Sequence, residues 1–259
     1  HSRNFMDAMA VAGYLDGFDY NGYFSTTVRE LQEGLIMQKY HEKRILEKYD
    51  AFEREYKRYM KELRKGKRTI KFRTKVDDRN LTIDTVDIPI YLAMDLYMVS
   101  KTGNAMTTLK ETGIRLEMDG GKRQIDCGAI TENDIDAIYK QFTEEDKALI
   151  KIMEEEYNGS CRQLKMETDF NRIGFSNVFD GYYYPIRRIS RSEVDTNDMF
   201  AEMERVSNVS LNKSRVEGAK QKIIVSNVLT KFKKHVNAVT RYAGLSIPIS
   251  NMEMILNLD

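Results

Sequence analysis

Apolar residues recur every three to four positions through most of this chain, and in two places that spacing gives way to alternation. The first helical run starts at Ser25-Thr26-Thr27, with Glu30 placed to complete a capping box, and continues to Lys65. Leu31, Leu35, Ile45, Tyr49, Phe52, Tyr56, Met60 and Leu63 mark its stripe. The spacing predicts a rod of about 40 residues, roughly 60 Å at 1.5 Å per residue. Gly66 ends it. Thr69–Arg73 and Leu81–Val86 then alternate around a polar turn, which predicts a hairpin. Pro89 opens a mostly apolar helix to Lys101 that is expected to be buried on most sides. A short helical piece from Asn104 leads to Gly113. Ile114–Met118 and Ile125–Cys127 alternate about Asp119-Gly120-Gly121, a second hairpin. The two hairpins flank one helix and are expected to pair.

Thr131 with Asp134, and Thr143 with Asp146, give two successive helix starts whose acidic first turns suit the helix dipole. Arg162–Phe170 reads as a short helix with Leu164 and Met166 or Phe170 inward. Next comes FDGYYYPIRRISR, read as an extended strap. Gly181, Tyr183, Tyr184 and Pro185 are its structural residues, with Tyr184 held extended by the proline. Ser192–Ser214 is polar and predicts a long loop with at most one short helix, 198–206. The last long helix is predicted over Lys220–Ala243, stopped by Gly244, with Pro248 blocking continuation and Ser250 capping a final turn to Asn257. His235, beside Lys233, Lys234 and Asn237, is expected at the surface.

The predicted fold is mainly α with minor β: a long N-terminal helix and a helical bundle carrying one or two small antiparallel hairpins. A division at 1–86 and 87–259 suits that pattern, as does one continuous domain. Ahead of the long helix, residues 4–24 interleave aromatics with Gly13, Gly17 and Gly22. They are read as aromatic cover for one end of the core, with a docking segment for peptide or carbohydrate as the alternative.

One ordered set of motifs carries a resemblance. LAMDLYMVSK, the glycine-bounded hairpin, ITENDIDAIYKQFTEEDKALIKIMEEEY, FDGYYYPIRR and KFKKHVNAVTRYAGLSIPISNMEMILN follow one another over residues 85–259. In that order they resemble a recurring helical region of phage and prophage large polyvalent proteins. The resemblance implies a non-catalytic spacer among separate modules of a larger polypeptide, partnered by those modules or by phage proteins. It implies a place in the virion or the bacterial host cytoplasm, and it brings no catalytic residues. The start at His1-Ser2 and the end at Leu258-Asp259 fit an excised piece.

Composition narrows the chemistry. Forty-one Lys and Arg against forty Asp and Glu leave a net charge of +1, so no global field draws the chain to nucleic acid or membrane. No apolar run approaches the roughly 20 residues a bilayer needs, and no signal-peptide pattern heads the chain. Two cysteines, Cys127 and Cys161, are too few for a disulfide framework or a cysteine zinc site. His41 has no second ligand one turn away, and Asp77, Asp78, Asp84 and Asp87 lack the spacing of a calcium loop. P-loop, GxGxxG, HExxH, GxSxG and CxxC are all absent, so no cofactor is expected and the chain reads as a non-enzyme. An unrecognised carboxylate site would need a deep pocket with Asp or Glu beside tyrosines. Local charge is less neutral. Lys57, Lys61, Arg64, Lys65, Lys67 and Arg68 cluster near one helix end, and Arg187, Arg188 and Arg191 follow the tyrosines. Both runs are candidates for phosphate contacts with nucleic acid. The competing reading is ordinary: cations at a helix C-terminus and a solvated face of ion pairs. Structural or interaction work is the leading functional expectation, and nucleic-acid contact the alternative.

Overall fold

The computed structural model describes residues 8–78, 81–176, 178, 181–188 and 221–256. The chain is mainly helical with a minor β component. Helix α1 (Ala8–Leu15) leads into α2 (Tyr23–Glu55) and α3 (Lys57–Arg64). The hairpin β1 (Thr69–Asp78) and β2 (Leu81–Pro89) precedes α4 (Ile90–Ser100) and α5 (Ala105–Thr112). Then come β3 (Ile114–Met118), β4 (Arg123–Cys127), α6 (Glu132–Tyr139), α7 (Glu144–Asn158) and α8 (Ser160–Ile173). Short strands β5 (Arg187–Arg188) and β6 (Ile223–Val225) come before α9 (Val228–Leu256).

Local chemistry explains most of these boundaries. Thr131 and Thr143 each accept a hydrogen bond from the amide three residues on, and Asp134 and Asp146 reach back to the cap amides, so both capping boxes form. The six strands run in the order β2-β1-β4-β3-β6-β5. The two hairpins do pair, but only Val76 and Cys127 join them. Gly113 turns the chain into β3 with φ +71°, and a Cβ there would strike the carbonyls of Cys127 and Gly128.

The core centres on α4, where nine of eleven residues are buried, as its apolar composition predicts. The buried cluster runs from Ile45 to Tyr242 and crosses residue 86 without a break. Helices α2 and α9 lie antiparallel along it. Asn251 donates to Glu30 (2.8 Å), Gly34 meets Gly244, and the Tyr49 and Phe232 rings sit 5.4 Å apart.

Several expectations are corrected. Helix α2 starts at Tyr23, because Asp16 accepts from the Phe24 and Ser25 amides (3.1 and 2.7 Å) and supplies the cap from nine residues upstream of Ser25. The rod breaks at Tyr56 (φ −105°, ψ 43°), and the break carries Tyr59 to Asp146, to which its hydroxyl donates (2.6 Å). On α8, Met166 and Phe170 face outward, while Cys161, Lys165, Thr168 and Asp169 face inward. Ile223 and Ile224 belong to a strand parallel to β3, not to a helix. Gly244 does not stop α9. It lets two backbones touch: a Cβ on Gly34 or Gly244 would run into the other's carbonyl oxygen. Pro248, inside the same helix, has no N–H to offer the Gly244 carbonyl four residues back. The loop expected over 192–214 lies outside the described residues.

The crossing gives a direct test. Gly34→Ala and Gly244→Ala should each lower stability by about 1–3 kcal/mol in urea unfolding, because neither backbone can retreat without unpacking α2 from α9. Losses under about 0.5 kcal/mol, ordinary for surface sites, would mean that the helices are not held this close.

Candidate functional site: an apolar end and a basic cleft

Two surfaces stand out, and α9 connects them. At its C-terminal half the molecule exposes apolar side chains. Of the eighteen large hydrophobics exposed among the described residues, all but Tyr139 belong to the stretch from Val11 to Tyr40, the end of α8 and the segment after it, or the C-terminal half of α9. Those segments meet where Gly34 touches Gly244 and where the Tyr242 hydroxyl donates to Asp169 (2.7 Å). The N-terminal aromatics therefore do not cover the core. Phe18 is 69% exposed and Tyr23 76%.

Near the N-terminus of α9 lies a cleft of about 610 Å³. Four segments wall it: the end of α3 with Arg64 and Lys65, the β3–β4 turn, the strap Pro185–Arg187, and the first turns of α9 with Lys231, Lys234 and His235. Five cations and one carboxylate, Glu117, line it. Arg64 pairs with Glu53, Arg187 with Glu117 and Lys231 with Asp95, so three of the cations are held in place.

The sequence's two basic runs are thus partly united and partly scattered. Arg64, Lys65 and Arg187 share the cleft. Arg68 is turned inward as a bidentate partner of Asp146 (3.0 and 2.9 Å), so its charge serves packing. Lys57 sits with Arg68 in a shallow depression that also holds Glu55, Glu62 and Glu145. Lys61 and Lys67 are exposed and line neither surface. Arg188 contributes backbone to β5, and Arg191 and the Arg188 side chain lie outside the described residues.

The strap is described from Gly181 to Arg188. Gly181 turns it with φ +119°, Tyr182 donates to Glu154 (2.7 Å), and Asn158 accepts from the Tyr183 amide (2.7 Å). Tyr183 and Tyr184 are buried, and the Tyr184 hydroxyl donates to Asp95. Pro185 passes the chain to the cleft wall.

Sequence reading missed Lys231, Lys234 and His235 as site residues. Starting the helix at Val228 places both lysines in its first two turns, against the positive end of the dipole. Cations there break a local rule, and that was the available signal. His235 was expected at the surface, yet it is only 7% exposed. It falls on the stripe of Val228, Phe232, Val236 and Val239, between the rings of Tyr157 and Tyr183 (centroids 5.0 and 5.5 Å). Its Nε2 is buried without a hydrogen-bond partner.

Among the described residues no cluster of three His, Cys, Asp or Glu could hold a metal, and no helix is long and apolar enough to cross a membrane. Of the four buried carboxylates among the described residues, Glu156 meets Lys48 (3.6 Å) and leaves its Oε2 without a hydrogen-bond partner, and the other three are taken up by packing. Asp95 accepts from Lys231 (2.6 Å), Tyr184 and the Ser226 amide (2.9 Å). Asp146 accepts from Arg68 and Tyr59, and Asp169 from Lys165 (2.7 Å) and Tyr242. No family model, no curated protein and no solved structure matches the chain.

Burial pushes the His235 imidazole down from 6.5 to about 4. It is neutral in the fold, while the unfolded chain binds the proton below about pH 6.5. Its contribution to stability is therefore full above that pH and falls by up to about 3 kcal/mol as pH drops toward 4. His235→Phe should flatten this part of the stability–pH curve relative to wild type in urea unfolding at pH values between those limits. Parallel curves for the two proteins would refute neutral burial.

Proposed function

We propose that this chain is a non-catalytic interaction module that docks through its apolar end onto a neighbouring part of a multi-module polypeptide of the phage kind its sequence resembles. The observation that carries the reading is the gathering at one end of seventeen of the eighteen large apolar side chains exposed among the described residues. Scattered single hydrophobics are normal on a surface, but a contiguous group of this size marks a contact site. Eight of the seventeen are aromatic, and aromatics supply much of the binding energy at protein interfaces. The non-catalytic part of the reading is supported by Asp95, Asp146 and Asp169, each engaged by a cation and a tyrosine hydroxyl rather than presented to a substrate.

Co-expression with the segments encoded on either side of the chain tests the reading. Wild type should retain one of them through purification. Tyr23→Asp with Ile36→Asp, both at exposed positions, should lose it while keeping the unfolding midpoint. Failure of wild type to capture either segment, or equal capture by the variant, would sink the proposal.

A further inference from the structure

The cleft near the start of α9 has a character that docking through the apolar end does not use. Its five cations face one lining carboxylate. Lys65 and Lys234 are exposed and have no carboxylate partner among the described residues, so their charge is available to a ligand. Lys231, near the start of the 29-residue helix, has the Asp95 carboxylate as its anion, while Lys234, one turn on, has no carboxylate partner among the described residues. Asn227 already accepts from the Leu229 and Thr230 amides (3.0 and 3.2 Å), so the helix contributes mainly its dipole.

An independent observation comes from His235. It lines the cleft and is only 7% exposed, and its buried Nε2 has no partner. A buried polar atom left unsatisfied costs about 1–3 kcal/mol, and this one belongs to a residue of the cleft wall, held between the Tyr157 and Tyr183 rings. Tyr91, Pro185 and Ile186 give the wall an apolar and aromatic part, beside the polar Ser226, Asn227 and Thr230. The volume of about 610 Å³ suits an organic molecule larger than a bare inorganic anion.

We propose that this cleft binds a nucleotide, free or as part of a nucleic-acid strand, with its phosphate between Lys65, Lys234 and Arg187 and its organic part against Tyr91, Pro185 and Ile186. The proposal stands apart from the docking reading, because the cleft is walled by the first turns of α9 and the apolar surface lies along its C-terminal half, about 24 Å on from Lys231 to Ile247 at 1.5 Å per residue. It also separates the two sequence runs: Lys57 and Lys61 have no part in it.

Calorimetric titration of the purified chain with adenosine monophosphate and with a short single-stranded oligonucleotide, each at low and moderate salt, tests it. Saturable binding of the mononucleotide identifies the free source. Binding of the oligonucleotide alone, weakened at least about tenfold between ~50 and ~200 mM salt, identifies the strand. In either case Lys65→Glu with Lys234→Glu should weaken binding at least about tenfold, while Lys57→Glu with Lys61→Glu leaves it within about twofold. Both pairs are exposed and outside the buried ion pairs, so each variant should fold, which the unfolding midpoint checks. No binding of either probe at low salt overturns the proposal. So does oligonucleotide binding that the Lys57 and Lys61 variant weakens as much as the cleft variant.

Discussion

A single buried carboxylate organises much of this molecule. Asp95 has no solvent exposure and lies in the middle of α4, the most apolar helix of the core. Removing a carboxylate from water costs several kcal/mol unless a cation and hydrogen-bond donors replace the lost hydration. The replacements come from far along the chain: Tyr184 of the strap, the amide of Ser226 after β6, and Lys231 of α9. Meeting the charge therefore pins three late segments onto α4. All three, with the end of α3 and the β3–β4 turn, wall the basic cleft. Lys231 is shared between them, since it satisfies Asp95 and also lines the cleft.

The same device recurs. Asp146 caps α7, then takes Arg68 and Tyr59, fastening the α3–β1 junction to the helix bundle. Asp169 takes Lys165 and Tyr242, fastening α8 to α9. In each case a tyrosine hydroxyl completes what the cation begins. The Tyr184 and Tyr59 phenols are pushed up by burial and by their carboxylate partners, so they remain donors. Ion pairs of this kind are weak evidence for net stability, but they define which segments meet. They also hold α9 as a rod whose two ends carry different chemistry, apolar at one and basic at the other.

What was legible in the sequence was mostly local. The capping boxes at Thr131 and Thr143, the two hairpins and the buried character of α4 follow from neighbours within a few residues. The strap was legible because Gly181 and Pro185 constrain backbone wherever they stand. The long-range features were hidden. Ile223 and Ile224 fit a helical stripe, and a three-residue strand has no period of its own; only its parallel partner β3 makes it a strand. Gly244 carries the local signature of a stop, and its role as a contact with Gly34 exists only in three dimensions. Half of the candidate cleft was readable as runs of charge: Arg64, Lys65 and Arg187. The other half, Lys231, Lys234 and His235, depended on knowing that the helix begins at Val228. With the start placed at Lys220, the lysines looked like mid-helix surface and the histidine like their neighbour. Leu35 lies on the predicted stripe of α2 yet is 48% exposed, because periodicity says that a face is apolar, not what covers it.

The account's central claim is that Asp95 and Lys231 hold the late segments to the core as a coupled pair. A double-mutant cycle with Asp95→Asn and Lys231→Met, followed by urea unfolding, tests it most directly. Each single change should cost about 3–5 kcal/mol, because it strands a buried charge or its donors. The double change should cost less than the sum by at least about 2 kcal/mol, the mark of direct coupling. Additivity within about 0.5 kcal/mol would show that the two residues act independently, and the pinning of strap, β6 and α9 to α4 would need another cause.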